Sequence, residues 1–128
     1  MKTLSRILLG LSAILLAVGA HFHTSAFGKT ATAVAESSLP AFLGNGLKVL
    51  WLQDSVITNV LAIIFAIVAI KPTAAPKWIV IVLALVPIAT AGLVYHFIGN
   101  FFGGYIFLTA GIAAILGALL LSANVTQR

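Results

Sequence analysis

Four apolar stretches, each close to the length of a membrane crossing, limit what this chain can fold into. A helix needs about 20 apolar residues to cross a bilayer, and these stretches lack the alternation of a transmembrane barrel strand. The sequence therefore predicts an all-α fold, an antiparallel four-helix integral membrane bundle that forms a single transmembrane domain over residues 1–128. The predicted helices cover approximately residues 4–22, 47–70, 78–97 and 101–122.

The composition supports a lipid environment. Hydrophobic residues make up 62% of the chain and charged residues 7%, whereas a soluble domain has roughly a quarter of its residues charged. The lipid bilayer is therefore the first expected partner. The net charge of +5 comes from basic residues at the ends of the apolar stretches. There they are typical of topology signals rather than of a nucleic-acid surface, so no nucleic-acid partner is expected.

The chain lacks several kinds of reactive group. It has no cysteine and a single methionine, Met1, which excludes disulfides, thiolate metal sites, catalytic thiols and CxxC redox chemistry. Vitamin K epoxide reductase-like enzymes have four helices and a CxxC, and are excluded on that ground. Small multidrug transporters place a glutamate in their first helix, and this first helix has no acid. The sequence favours a protein that is not an enzyme.

The connections differ in length. Residues 71–77 and 98–100 form short loops, whereas residues 23–46 form a long outer loop. Within this loop Ser38 and Pro40 are typical of a helix start, and the Gly-Asn-Gly sequence at 44–46 is typical of a helix end. We therefore predict a short interfacial helix around Ala41 to Leu43.

The distribution of lysine and arginine predicts the orientation. The side with fewer basic residues holds Lys29 and Lys48 and would face outward. The N- and C-termini are then cytoplasmic, in what we expect to be a bacterial inner membrane. The basic residues of the inner side are Lys2, Arg6, Lys71, Lys77 and Arg128.

The first apolar stretch also fits a signal peptide. Lys2 and Arg6 precede an apolar run, and Val18-Gly19-Ala20 matches a cleavage site. Cleavage after Ala20 would create an N-terminus that begins His21-Phe22-His23, which can bind divalent copper. Retention of the segment as a helix and its cleavage both remain open at this point.

Small residues recur with helical spacing and predict the packing faces. In lipid, helices associate through close contacts between small residues, because burying apolar surface gains little. The first helix has such a face at Gly10, Ala13, Ala17 and Ala20, and the last has one at Ala110, Ala114 and Ala118. These faces predict association with other membrane subunits or self-association. The second helix has the most regular face, at Ser55, Asn59, Ala62, Ala66 and Ala69.

The polar residues segregate to the outer side and supply the candidate sites. His21, His23, His96 and Asp54 are ligands that zinc or divalent copper accepts, so an outer metal site is one interpretation. An interfacial belt is the other, because histidine, tyrosine, tryptophan and lysine prefer the headgroup region. Asp54 also has two structural alternatives, capping a helix or pairing with Lys48. Further candidates for a ligand-binding polar cluster are Glu36, Lys48, Trp51, Asn59, Tyr95 and Tyr105.

The overall plan resembles small DoxX-like bacterial membrane proteins, with four helices, a long first outer loop and small residues in the last helix. The resemblance covers the architecture of most of the chain and involves no specific motif, so it assigns no site or activity. We therefore keep three hypotheses. The first is a non-enzymatic accessory subunit of a membrane complex, or a binder of a quinone or lipid. The second is an outer-face divalent-metal protein, and the third a membrane enzyme with His96 and Asp54 as acid and base.

Overall fold

The computed structural model describes residues 2–121, and within them the chain is helical with no strand. The positions of Met1, Arg128 and the predicted end of the last helix at residue 122 lie outside the described residues. The described residues form five helices, α1 (Lys2–Ser25), α2 (Phe27–Ala35), α3 (Ala41–Ile70), α4 (Lys77–Phe97) and α5 (Phe102–Leu119). Helices α1 and α2 are separated only by Ala26 and run almost continuously.

Four helical segments in the described residues are long and apolar enough to cross a membrane. They are the joined α1 and α2, with 34 residues, then α3 with 30, α4 with 21 and α5 with 18. The prediction of four apolar helices is confirmed. At 1.5 Å per residue, the first two segments are much longer than a hydrocarbon core of about 30 Å requires.

The helices pack side by side in the order α3, α1, α5, α4. Each helix is antiparallel to its neighbour, as the contact of Ser5 at the start of α1 with Gly117 at the end of α5 illustrates. Of the neighbouring helices, α3 and α4 approach each other least closely, but their inward side chains, such as Phe65 and Val80, are fully buried in one core with those of α1 and α5. The row is therefore curved around a shared core, and its loosest contact is between α3 and α4.

Small residues bring α1 and α5 together. The Ser5 hydroxyl donates to the Gly117 carbonyl at 2.7 Å. A Cβ on Gly117 would lie 2.9 Å from Leu9 Cγ and 3.2 Å from the Ser5 carbonyl oxygen, so only glycine permits this approach. The predicted small-residue face of the last helix is confirmed, because Ala110, Ala114 and Ala118 are fully buried. Close packing of this kind is what holds helices together in lipid.

The two ends of the row differ in chemistry. The lysine end carries Lys2, Arg6, Lys71 and Lys77. The opposite end, which we call the histidine end, carries the three histidines. There Tyr95 lies level with Gly104, and Gly19 lies level with Ile106. Helices α4 and α5 therefore both stop within about a turn of the level of His23.

Helix α2 and residues 41–54 of α3 continue beyond that level as a projecting hairpin. The 14 residues of α3 in it extend about 21 Å. The structure differs here from the expected long loop, the short helix and a second helix starting at 47, because α3 runs unbroken from Ala41 to Ile70. Gly44 explains the difference. A Cβ there would lie 2.8 Å from Val34 Cγ1 of α2, so this glycine lets α2 pack closely and offsets its cost of about 1 kcal/mol in a helix.

Candidate functional site

A polar cluster lies where the projecting hairpin leaves the row. It consists of His23 in the last turn of α1 and of Trp51, Asp54 and Ser55 on α3, and we call it the histidine cluster. Residues three and four apart share one face of a helix, so the three α3 residues point to the same side. Antiparallel packing of α1 on α3 brings His23 to that side. Ser55 is buried, and the other three are partly buried.

Trp51 holds His23 in two ways. The indole stacks on the imidazole with ring centroids 4.1 Å apart and planes 10° from parallel. Its Nε1–H donates to the His23 carbonyl oxygen at 2.9 Å. Carbonyl groups in the last turn of a helix have no partner within that helix, so the indole satisfies one that α1 leaves free. Trp51 thereby fixes both the ring of His23 and the end of α1.

The imidazole has two polar neighbours on one nitrogen. His23 Nδ1 and Ser55 Oγ are hydrogen-bonded at 2.9 Å, and which atom donates depends on the tautomer of the ring. Asp54 Oδ2 lies 3.9 Å from the same Nδ1 and forms an ion pair when the imidazole is protonated. The structure thus pairs Asp54 with His23, whereas the sequence left capping and Lys48 as alternatives.

This geometry differs from that of a catalytic triad. In a triad the hydroxyl bonds one imidazole nitrogen and the carboxylate bonds the other, so that the carboxylate orients the ring and stabilises the imidazolium that forms when the ring takes the hydroxyl proton. Here both Ser55 and Asp54 face Nδ1. The arrangement orients the imidazole and joins α1 to α3 at the base of the hairpin.

The other predicted metal ligands lie apart from this cluster. His21 is exposed, and its nearest aromatic neighbour is the adjacent Phe22. His96 is also exposed and packs edge-on against Phe97 with centroids 4.5 Å apart. Within residues 2–121 no three side chains among His, Cys, Asp and Glu are grouped so as to hold a metal ion. Of the four predicted ligands, the structure brings His23 and Asp54 together.

The remaining polar candidates occupy separate places. Tyr95 and Tyr105 meet edge to face, with centroids 5.7 Å apart. The Tyr105 hydroxyl donates to Asn100 Oδ1 at 2.6 Å, which fastens the α4–α5 turn. Glu36 is exposed at the end of α2, and Lys48 is half-buried on α3.

Sequence reasoning assigned Ser55 to a packing face and did not name it as a site residue. The available signal was its spacing, because Ser55 lies one turn after Trp51 and is adjacent to Asp54. Asn100 was also missed, although a polar residue in a three-residue turn beside Tyr105 is a natural partner for the hydroxyl. Asn59, which the sequence analysis gave as a candidate for the polar cluster, lies on the exposed face of α3 that points away from the core, and outside the histidine cluster.

Comparison with protein-family models, with curated proteins and with solved structures finds no match for this chain.

Proposed function

We propose that this chain is a non-enzymatic accessory subunit of a membrane complex, and that the projecting hairpin docks the partner. One observation carries the proposal. The apolar stripe by which α3 contributes to the core of the row, at Leu61, Phe65 and Val68, continues along the same side of the helix into the hairpin. In the hairpin this stripe is exposed. We call the exposed part the docking stripe, and it consists of Leu43, Leu47 and Leu50.

The docking stripe repeats the helical positions of buried residues. Its three leucines precede Leu61, Phe65 and Val68 by 18 residues each, which is five turns at 3.6 residues per turn. The two sets therefore point in the same direction from the axis of α3. The later set is buried within the row. The earlier set lies past the ends of α4 and α5, and faces outward.

Such a surface favours a protein partner. Contiguous exposed apolar side chains mark interaction sites in proteins that work in water. The leucine spacings of four and three residues are those that a second helix meets in a left-handed packing. Asp54 follows Leu50 by one turn on the same side and ends the stripe with a carboxylate. We therefore propose that the partner supplies an apolar helix with a cation or hydrogen-bond donor at the level of Asp54.

The histidine cluster fits a structural role within this proposal. It fastens α1 to α3 at the base of the hairpin through the Trp51 hydrogen bond and the contact of His23 with Ser55. A rigid base keeps the docking stripe at a fixed angle to the membrane. Rigid elements lose less conformational entropy on binding, so the cluster supports docking without any chemical step.

The experiment is site-directed photocrosslinking in native membranes. A photoreactive residue at 43, 47 or 50 is expected to crosslink one and the same membrane protein. The matched control is position 45, which is equally far out on the hairpin and on another face of α3. Crosslinking without preference for a face, or only to a second copy of this chain, would contradict the proposal.

A charge substitution provides a second test of the docking stripe. Leu47→Glu is expected to abolish recovery of the partner while leaving the subunit folded, because Leu47 is exposed in the subunit. Asn45→Glu introduces the same charge nearby and is expected to leave recovery unchanged. Native mass spectrometry in mild detergent measures the complex in both variants. Equal recovery with the two variants would remove the docking stripe from the interface.

We further propose that the lysine end is cytoplasmic and that the hairpin lies on the opposite side of a bacterial inner membrane. The proposal depends on the preference of lysine and arginine for the cytoplasmic side. Since the chain has no cysteine, single cysteines report directly on accessibility. A cysteine at Asn45 is expected to react with an impermeant thiol reagent from outside, and one at Ala74 is expected to be protected. The reverse pattern would invert the orientation.

A further inference from the structure

From the exposed face of α3 we infer a second interaction surface, through which two copies of this chain form a two-fold symmetric dimer within the membrane. The surface is independent of the docking stripe and lies on a different side of the helix. We call it the lipid stripe. It consists of Leu52, Val56, Asn59, Ile63, Ala66 and Ile70, all exposed except the half-buried Ala66.

Asn59 is the residue that demands a partner. It lies 11 residues before Ile70, about 16 Å along the helix, and Lys71 marks the edge of the membrane at that end. This places Asn59 near the middle of a hydrocarbon core about 30 Å thick. A polar group there has no water to bond and costs several kcal/mol if left unpaired.

The protein itself satisfies only part of the Asn59 amide. Its Nδ2 donates to the Ser55 carbonyl oxygen at 3.0 Å. The second amide hydrogen and Oδ1 have no hydrogen-bond partner among residues 2–121. The side chain is exposed beside a shallow, open groove between α1 and α3 that is lined by small residues such as Ala13 and Ala17. A neighbouring helix can therefore approach an amide that can both donate and accept.

A second copy of this chain fits that surface best. All copies insert in the same orientation, so in a dimer with its axis along the membrane normal each residue meets its own counterpart at the same depth. A carboxamide is complementary to another carboxamide, because each supplies a donor and an acceptor. Asn59 of one copy therefore bonds Asn59 of the other, and no different polar group needs to reach this depth.

The register of the lipid stripe also matches a pair of parallel helices. The successive spacings are four, three, four, three and four residues, the repeat of a left-handed seam. Val56, Ile63 and Ile70 occupy one position of the repeat, and β-branched residues at that position favour two strands. Asn59 occupies the other position of the repeat, with Leu52 and Ala66, and pairing with its own counterpart there fixes the register, as a seam asparagine does in soluble coiled coils. Because this face of α3 points away from the core, it is open to a second copy.

The first test uses single cysteines in the otherwise cysteine-free chain. Oxidation of membranes that contain Val56→Cys or Ile63→Cys is expected to give a disulfide-linked dimer. The matched control is Leu85→Cys, at a similar depth on the exposed face of α4, and is expected to remain monomeric. Equal crosslinking at all three positions indicates random collision and overturns the proposal, as does no crosslinking at any of them.

The second test removes the amide. Asn59→Leu is expected to raise the dimer dissociation constant about 3- to 20-fold, because interhelical hydrogen bonds in membranes contribute up to about 1.7 kcal/mol. Single-molecule photobleaching in liposomes of defined composition measures the monomer fraction, and the helical circular dichroism of the variant is expected to be unchanged. Asn59→Gln retains a carboxamide and is expected to dimerise more than Asn59→Leu. A dissociation constant unchanged in Asn59→Leu would overturn the role of Asn59.

Discussion

The two halves of α3 present the same apolar stripe in two different environments. In the half within the row, Leu61 is 5% exposed, Phe65 is 0% exposed and Val68 is 1% exposed. At the equivalent positions of the projecting half, Leu43 is 51% exposed, Leu47 is 47% exposed and Leu50 is 61% exposed. The side chains are similar, so the difference comes from the length of the neighbouring helices. A helical repeat of apolar residues indicates a face that packs against another surface. The lengths of the other helices determine whether that surface belongs to this chain.

The largest expected effect is on the free energy of unfolding, which we expect to distinguish a buried position of α3 from an exposed one. Phe65→Ala removes a fully buried ring and leaves a cavity, so we expect a loss of about 3 kcal/mol in the free energy of unfolding. Leu47→Ala truncates an exposed side chain and is expected to change that free energy by less than about 0.5 kcal/mol. Unfolding of the purified subunit in a graded mixture of mild detergent and dodecyl sulfate measures both.

The same two variants are expected to differ in the opposite way when loss of the complex is compared with loss of subunit stability. Leu47→Ala is expected to weaken the proposed complex while leaving the subunit intact, because Leu47 is exposed in the isolated subunit and the proposed partner would cover it. If Leu47→Ala destabilised the isolated subunit as much as Phe65→Ala does, the projecting stripe would already be buried by this chain and the comparison would fail.

A second prediction concerns the small residues of the half within the row. Ala62→Leu adds a large side chain at a buried contact of α3 with α1, and overpacking of this kind costs about 1–3 kcal/mol. Ile67→Leu changes the shape of an exposed side chain at constant volume, and we expect no measurable loss. The same denaturation assay compares them. Equal tolerance of the two substitutions would mean that α1 and α3 do not pack closely at Ala62.

The predictable part of the fold follows from periodicity and composition. Four apolar helices, the buried alanines of α5 and the placement of all three histidines at one end are local or additive properties of the sequence. The length of α3 was not predictable in the same way. In the sequence, Gly44 and Gly46 are typical of a helix end. The contact of Gly44 with Val34 of α2 explains why the helix continues through them.

The candidate site was predictable in its residue types and not in its partners. His23, Asp54 and Trp51 were named from their place near the outer ends of the helices. Which histidine approaches Asp54 depends on the order in which the helices pack, and that order is a property of the whole row. Helix α5 lies between α1 and α4, so His96 is carried away from His23 although both lie at the same end.

A third prediction tests whether the projecting half depends on close packing. Gly44→Leu places a side chain where Val34 already lies, since even a Cβ would be 2.8 Å from Val34 Cγ1. We expect α2 to separate from α3 and its amides to exchange at least about tenfold faster, which corresponds to 1.4 kcal/mol of local stability. Gly46→Leu is the control, because nothing lies within 4 Å of its Cβ position. Hydrogen exchange followed by mass spectrometry compares the two, and protection of α2 in Gly44→Leu would contradict the close contact.

The smallest expected effect lies at the junction of the two halves. Trp51→Phe keeps an aromatic ring to stack on His23 and removes the hydrogen bond to the His23 carbonyl oxygen, which is 2.9 Å long. A hydrogen bond of this kind contributes about 1 kcal/mol, so amides around the α1–α2 break are expected to exchange about fivefold faster. The free energy of global unfolding is expected to be nearly unchanged, because the row below the junction keeps all its contacts. Trp78→Phe removes an indole from an exposed position on α4 and is expected to alter neither measurement. If Trp51→Phe instead lowered global stability, the hairpin and the row would unfold as one unit, and the two halves of α3 would differ in exposure without differing in stability.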